Sequence, residues 1–155
     1  MKFEKTLFKV SYREMFFFLV ITLIANGAIF IFTWIKGNPR LLLNDGSWGV
    51  QFVFPTIYSI LLTAVNRRGI LKVSMFDDSK ALKEKIESVV LKKGYTSTYS
   101  NTQYSKFIRK SKLGRFFNTF FNENIEIKVT EDEASIFARK NMLDSVKMKL
   151  KFNTI

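Results

Sequence analysis

The chain has neither histidine nor cysteine. Its reactive side chains are 13 carboxylates, 25 lysines and arginines, and the hydroxyls of Ser, Thr and Tyr. Cys–His and Ser–His nucleophile pairs are therefore excluded. Zinc, haem and iron–sulfur sites lose their usual ligands, so no metal or other cofactor is expected. No disulfide can form, which leaves the redox compartment open. Two groups of acids stand close together. Asp77-Asp78 precedes a helical repeat, so capping explains it better than acid/base chemistry. Glu131-Asp132-Glu133 lies between two alternating runs and reads as a solvated turn rather than a cation site. No glycine-rich phosphate loop, dinucleotide fingerprint or metalloprotease signature occurs. A non-enzymatic protein is expected.

The chemistry that remains is the binding of anions. The formal net charge is +12. Arg67, Arg68, Lys72, Lys110, Lys112 and Arg115 are the candidate contacts with anionic lipid headgroups. Each basic residue near an anionic surface contributes about 1 kcal/mol. A second reading takes Tyr95, Tyr99, Tyr104 and Phe107, interleaved with Lys106, Arg109 and Lys110, as a stacking surface for single-stranded nucleic acid. No RNA-binding motif accompanies it, so nucleic acid is the lesser partner.

The elements that would position these residues begin with two apolar runs. Residues 15–35 carry no charge and would reach roughly 31 Å as a helix, close to the hydrocarbon thickness of a bilayer. Residues 48–65 are also uncharged and would reach about 27 Å. The expected fold is thus an α+β membrane protein. Residues 1–14 form a basic cytoplasmic flank, with an interfacial helix as the alternative. Residues 15–65 form a two-helix transmembrane hairpin, with spans 15–35 and 48–65 and an external link 36–47. Residues 66–155 form a small, basic cytoplasmic α+β domain with a short antiparallel sheet. Within about 15 residues of the spans, the terminal sides hold eight Lys/Arg and the link holds two. Both termini are therefore expected in the cytoplasm, and this architecture suits a bacterial inner membrane. The apolar run resumes after Ala25-Asn26-Gly27, which argues for a retained span over a cleaved signal peptide.

Inside the hairpin, Asn26, Gly27, Pro55, Thr56 and Ser59 are expected to mediate interhelical packing, Asn26 bonding near Thr56 or Ser59. No ionisable residue lies in either run, which disfavours an ion relay. Trp34 and Trp48 are expected as interface anchors. Leu41, Leu42 and Leu43 read as packing at the outer interface.

Beyond the runs, residues 70–76 alternate as a strand, and 80–93 repeat as an amphipathic helix closed by Gly94. Residues 95–110 suggest one or two strands. Residues 112–122 suggest a helix carrying Phe116, Phe117, Phe120 and Phe121 on one side, directed to the domain core or to the inner leaflet. Residues 125–130 and 134–139 read as a hairpin. Residues 141–152 fit helix or strand, with a helix favoured for the first half. The expected function is a membrane tether for a basic domain that binds anionic lipid or a protein partner. A small subunit of an oligomeric transporter or channel, self-associating through Asn26 and Gly27, is a further alternative.

Overall fold

The computed structural model describes residues 1–36, 47–121 and 123–152. In chain order the elements are β1 (Lys2–Leu7), α1 (Tyr12–Ile35), α2 (Ser47–Asn66), β2 (Arg68–Ser74), α3 (Ser79–Lys92), β3 (Tyr95–Ser100), β4 (Tyr104–Arg109), α4 (Lys112–Phe121), β5 (Ile125–Val129), β6 (Glu133–Arg139) and α5 (Lys140–Phe152). The chain divides into two compact units, Met1–Lys9 with Asn66–Ile155, and Val10–Val65.

The first unit is built on a six-stranded antiparallel sheet in the order β1-β2-β6-β5-β4-β3. Alternation decides which face is buried. Leu71 and Val73, Ala134, Ile136 and Ala138, Ile125, Ile127 and Val129, and Phe107 all join the core. Helix α3 adds Leu82, Ile86, Val89 and Val90, and α5 adds Met142, Leu143, Val146 and Leu150. The result is two helices packed on a sheet, two layers around one core. Each fully buried Leu, Ile or Phe contributes about 1.5–3 kcal/mol.

Local chemistry sets the boundaries. Asp78 Oδ1 accepts from the backbone N–H of Lys80 at 2.8 Å and of Ala81 at 3.1 Å, capping α3. Gly94, at φ +82°, follows the helix as the sequence predicts. Asn101 Oδ1 accepts from the N–H groups of Gln103 and Tyr104 and tightens the β3–β4 turn. Residues 141–152 are helical throughout, with Leu143, Val146 and Leu150 fully buried.

Two corrections follow. The first concerns the N-terminus. Residues 2–7 are neither a flank nor an interfacial helix but an edge strand, paired with β2 from Lys2↔Ser74 to Leu7↔Gly69. Phe3 and Leu7 are four apart, a spacing shared by one face of a helix and one face of a strand. They pack at the margin of the core, and Lys5 between them reaches Asp144 of α5 at 2.5 Å.

The second correction concerns the fold class. The expected transmembrane hairpin with a short sheet is not what forms. Among the described residues, α1 is the one helix long and apolar enough to cross a membrane, over Tyr12–Ile29. Among the described residues, the apolar stretch of α2 is Val53–Asn66, about 21 Å of helix against roughly 30 Å of hydrocarbon. Among the described residues the architecture is one long apolar helix, a second helix of shorter apolar extent, and a six-stranded α+β unit.

In the second unit, Ser59 donates to the Thr56 carbonyl at 2.8 Å and Thr63 to the Ser59 carbonyl at 2.7 Å. Both hydroxyls, buried on one face of α2 with Pro55, are thus satisfied by their own helix. Among the described residues, a Cβ on Gly27 would meet nothing within 4 Å. Asn26 is half-buried. Residues 37–46, including Arg40 and Leu41–Leu43, and the side chains of Trp34 and Trp48 lie outside the described residues.

Candidate functional site: the arginine end of the sheet

Antiparallel pairing gathers particular strand ends at one edge of the sheet. Strand β2 starts where β6 ends, and Arg68 faces Arg139 in the register. Strand β4 ends where β3 starts, and Arg109 faces Tyr95. The link between α4 and β5, which carries Glu123 and Asn124, meets the same end. Arg109 Nε is 3.0 Å from Glu123 Oε2, and Arg139 Nε is 3.7 Å from Oε1. Nη2 of Arg139 donates to the Phe121 carbonyl at 3.1 Å, and Nη2 of Arg68 to the Asn124 carbonyl at 3.1 Å. Two guanidinium groups also stack on rings: Arg109 lies 4.5 Å from the centroid of Tyr95, and Arg139 5.5 Å from that of Phe121. Arg67 hands its carbonyl to the Lys140 N–H, and its buried Nε makes no hydrogen bond among the described residues.

Helix α4 is fastened to this end. Ser111 Oγ accepts from the Gly114 N–H at 3.0 Å and caps it. Gly114 lies against Arg109, whose Cβ would be 2.6 Å from any Cβ placed there. Asn118 donates to Asn124 Oδ1 at 2.8 Å. Phe121 is buried, while Leu113 and Phe116 are 71% and 60% exposed beside the exposed Lys110, Lys112 and Arg115. The helix therefore faces both ways: Phe121 goes inward, and Leu113 and Phe116 outward. The side chains of Phe117 and Phe120 lie outside the described residues.

Five of the six residues singled out for lipid contact, Arg67, Arg68, Lys110, Lys112 and Arg115, meet at this end or start the helix that leaves it. Lys72 does not. It lies in mid-β2 and pairs with Glu133 at 3.2 Å. The Ser135 hydroxyl, followed by Lys72, holds the Glu133 carboxyl below its ordinary range. Arg139, Glu123 and Lys140 were not visible as members from the sequence, because only the register places them beside Arg68 and Arg109. Burial raises the Tyr95 phenol above its usual value, with Arg109 opposing in part.

The aromatic platform does not assemble. Phe107 and Tyr95 are buried in the core, whereas Tyr99 and Tyr104 pair at 5.9 Å on the side away from Phe107.

One cluster resembles a serine–lysine nucleophile. Lys83 Nζ is 3.3 Å from Ser100 Oγ, which is 2.9 Å from the buried Ser105 Oγ. Lys83 also faces Glu87 at 3.3 Å and donates to the Asn101 carbonyl. Ser105 in turn donates to Glu87 at 2.5 Å. Lys83 Nζ is thus held by a carboxylate, a hydroxyl and a carbonyl at once. The cluster ties α3 to the β3–β4 hairpin. No group of three or more acids able to hold a metal ion occurs among the described residues.

No family model, curated protein or solved structure matches this chain.

Proposed function

We propose that this is a non-enzymatic, membrane-anchored protein whose basic domain rests its arginine end on an anionic lipid surface, on the cytoplasmic side of a bacterial plasma membrane. One observation carries the reading. The chain departs for α1 after Leu7 and returns from α2 at Arg68, and Leu7 and Gly69 are register partners at the end of the sheet where the arginines gather. An apolar helix and a basic surface are thus joined by a few residues. Phe16, Ile24, Ile29, Ile31 and Phe32 of α1 are exposed, a surface that hydrocarbon would cover. Leu113 and Phe116 of α4 could enter the headgroup region while Lys112 and Arg115 meet phosphates.

The absence of native cysteine allows a clean test. A Leu113→Cys variant carrying an environment-sensitive fluorophore is placed in neutral and in anionic nanodiscs. Emission should shift to the blue in the anionic discs and lose the larger part of that shift in high salt, the apolar contacts keeping the remainder. Identical emission in both discs would sink the reading.

A further inference from the structure

We infer that the α+β unit stands end-on on anionic lipid headgroups, its strands along the membrane normal, with Lys92 and Lys93 at the end of α3 as its far foothold. The inference rests on the lipid reading above and adds the posture and the residues that hold it.

Antiparallel register sorts charge along the strands. Strands β1, β4 and β6 end where β2, β3 and β5 begin. Besides the arginines already placed there, the chain brings Lys9 past β1, Lys110 and Lys112 past β4, Lys140 past β6, and Lys92 and Lys93 ahead of β3. All but Lys140 are exposed. Among the described residues of these strand ends, and the three that adjoin each, Glu123 is the acid, and its carboxylate already pairs with Arg109 and Arg139. The opposite end has the reverse sign. Asp77 lies past β2, and Glu131 and Asp132 join β5 to β6, all three exposed, with Lys2 as the lysine among them.

Distance decides the posture. Strands β3 and β4, of 6 residues each, separate the two ends by about 20 Å. That exceeds two Debye lengths of about 8 Å at physiological salt. With the basic end down, the acids stand beyond the reach of the surface charge. With either face of the sheet down, acids and lysines would meet the surface at one depth and oppose each other. A tether alone does not bring the far foothold down. Strand β3 is the sheet edge opposite β1, the strand that leads into α1, and lies about 24 Å across the sheet from it. Lysines at a helix C-terminus also complement its dipole, so the test reads proximity as well as stability.

The test uses the full chain in nanodiscs whose headgroups carry a nitroxide quencher. A fluorophore at Thr96→Cys reports the basic end of the β3–β4 hairpin, and one at Thr102→Cys the opposite end; both positions are exposed. In anionic discs the Thr96 label should be quenched and the Thr102 label spared. Neutral discs, or high salt, should remove the Thr96 quenching, a readout that needs no charge substitution. Lys92→Gln/Lys93→Gln should lose the greater part of it in anionic discs, whereas Glu131→Gln/Asp132→Asn should leave both labels as they were. Thermal melts check that both double variants stay folded. Equal quenching of the two labels with the Leu113 shift retained overturns the posture and spares the lipid reading. Absence of both the Leu113 shift and the Thr96 quenching overturns the two together. A Thr96 signal indifferent to Lys92 and Lys93, or altered by neutralising the distant acids, also overturns the inference.

Discussion

Arg68 and Arg139 face each other across β2 and β6, and each closes on a backbone carbonyl flanking Glu123: Arg68 on Asn124, Arg139 on Phe121. A carbonyl satisfies a guanidinium donor without cancelling its charge. Both arginines are thereby held in place at this end of the sheet. Glu123 is the acid among them, and its carboxylate pairs with both Arg109 and Arg139.

Glu123→Gln should separate stability from surface attraction. Arg139 is only 8% exposed, so loss of the carboxylate removes a charged partner from a buried guanidinium. Leaving a buried charged group less well paired costs about 1–3 kcal/mol. The thermal midpoint of the full chain in detergent should fall. Its blue shift in anionic nanodiscs, read at Leu113, should grow, since one negative charge is gone. A variant that is both less stable and less attracted to anionic lipid would show that Glu123 builds the site instead of restraining it.

Gly69→Ala should loosen the N-terminal strand. An added Cβ would stand 2.5 Å from the Thr6 carbonyl oxygen and 2.8 Å from Leu7 Cδ2. The backbone oxygen has little room to retreat, so β1 must shift, at a cost of about 1–3 kcal/mol. Hydrogen exchange should speed up for Phe3–Leu7 while α3 and α5 keep their protection. Unchanged exchange in β1 would contradict the tight approach.

The elements most legible in the sequence were those whose partners are close by. Asp78, the Leu82/Ile86/Val89/Val90 repeat and Gly94 define α3 almost without context. The β5–β6 hairpin follows from alternation around an acidic turn. Strand β1 was not legible, because its partner β2 lies beyond both long helices and the Phe3–Leu7 spacing suits either period. The arginine end was half legible. Arg67 and Arg68 stand out beside an apolar run, but Arg139 and Glu123 join them only through pairing distant in sequence. Phe107 and Tyr95 misled, because a strand sends alternate residues to opposite faces and an interleaved run of aromatics is thereby divided.

Tyr95 gives an alkaline signature. Burial raises its folded pKa above the unfolded value near 10.0, although Arg109 lowers it in part. A raised pKa contributes stability that is fully present below the unfolded pKa and is lost as pH rises through the folded one. Denaturant midpoints should therefore decline above about pH 10. Tyr95→Phe should flatten that decline while leaving the neutral-pH midpoint nearly unchanged. An identical alkaline slope in Tyr95→Phe would assign the effect to other groups.

The last prediction concerns the division of labour on α4. Lys112 and Arg115 are exposed, and each should contribute about 1 kcal/mol near an anionic surface, so Lys112→Glu/Arg115→Glu should more than remove their joint attraction. Phe116→Ser removes apolar area instead, a term that salt does not screen. At low salt both variants should reduce the anionic blue shift read at Leu113→Cys. At high salt the charge-reversed chain should match its parent, while Phe116→Ser should still fall below it. Because both sites are exposed, thermal midpoints should move by no more than about 0.5 kcal/mol equivalent. If both variants lose the shift equally at every salt concentration, α4 is a structural brace for the Arg109–Glu123 pair and its exposed face has no role at the membrane.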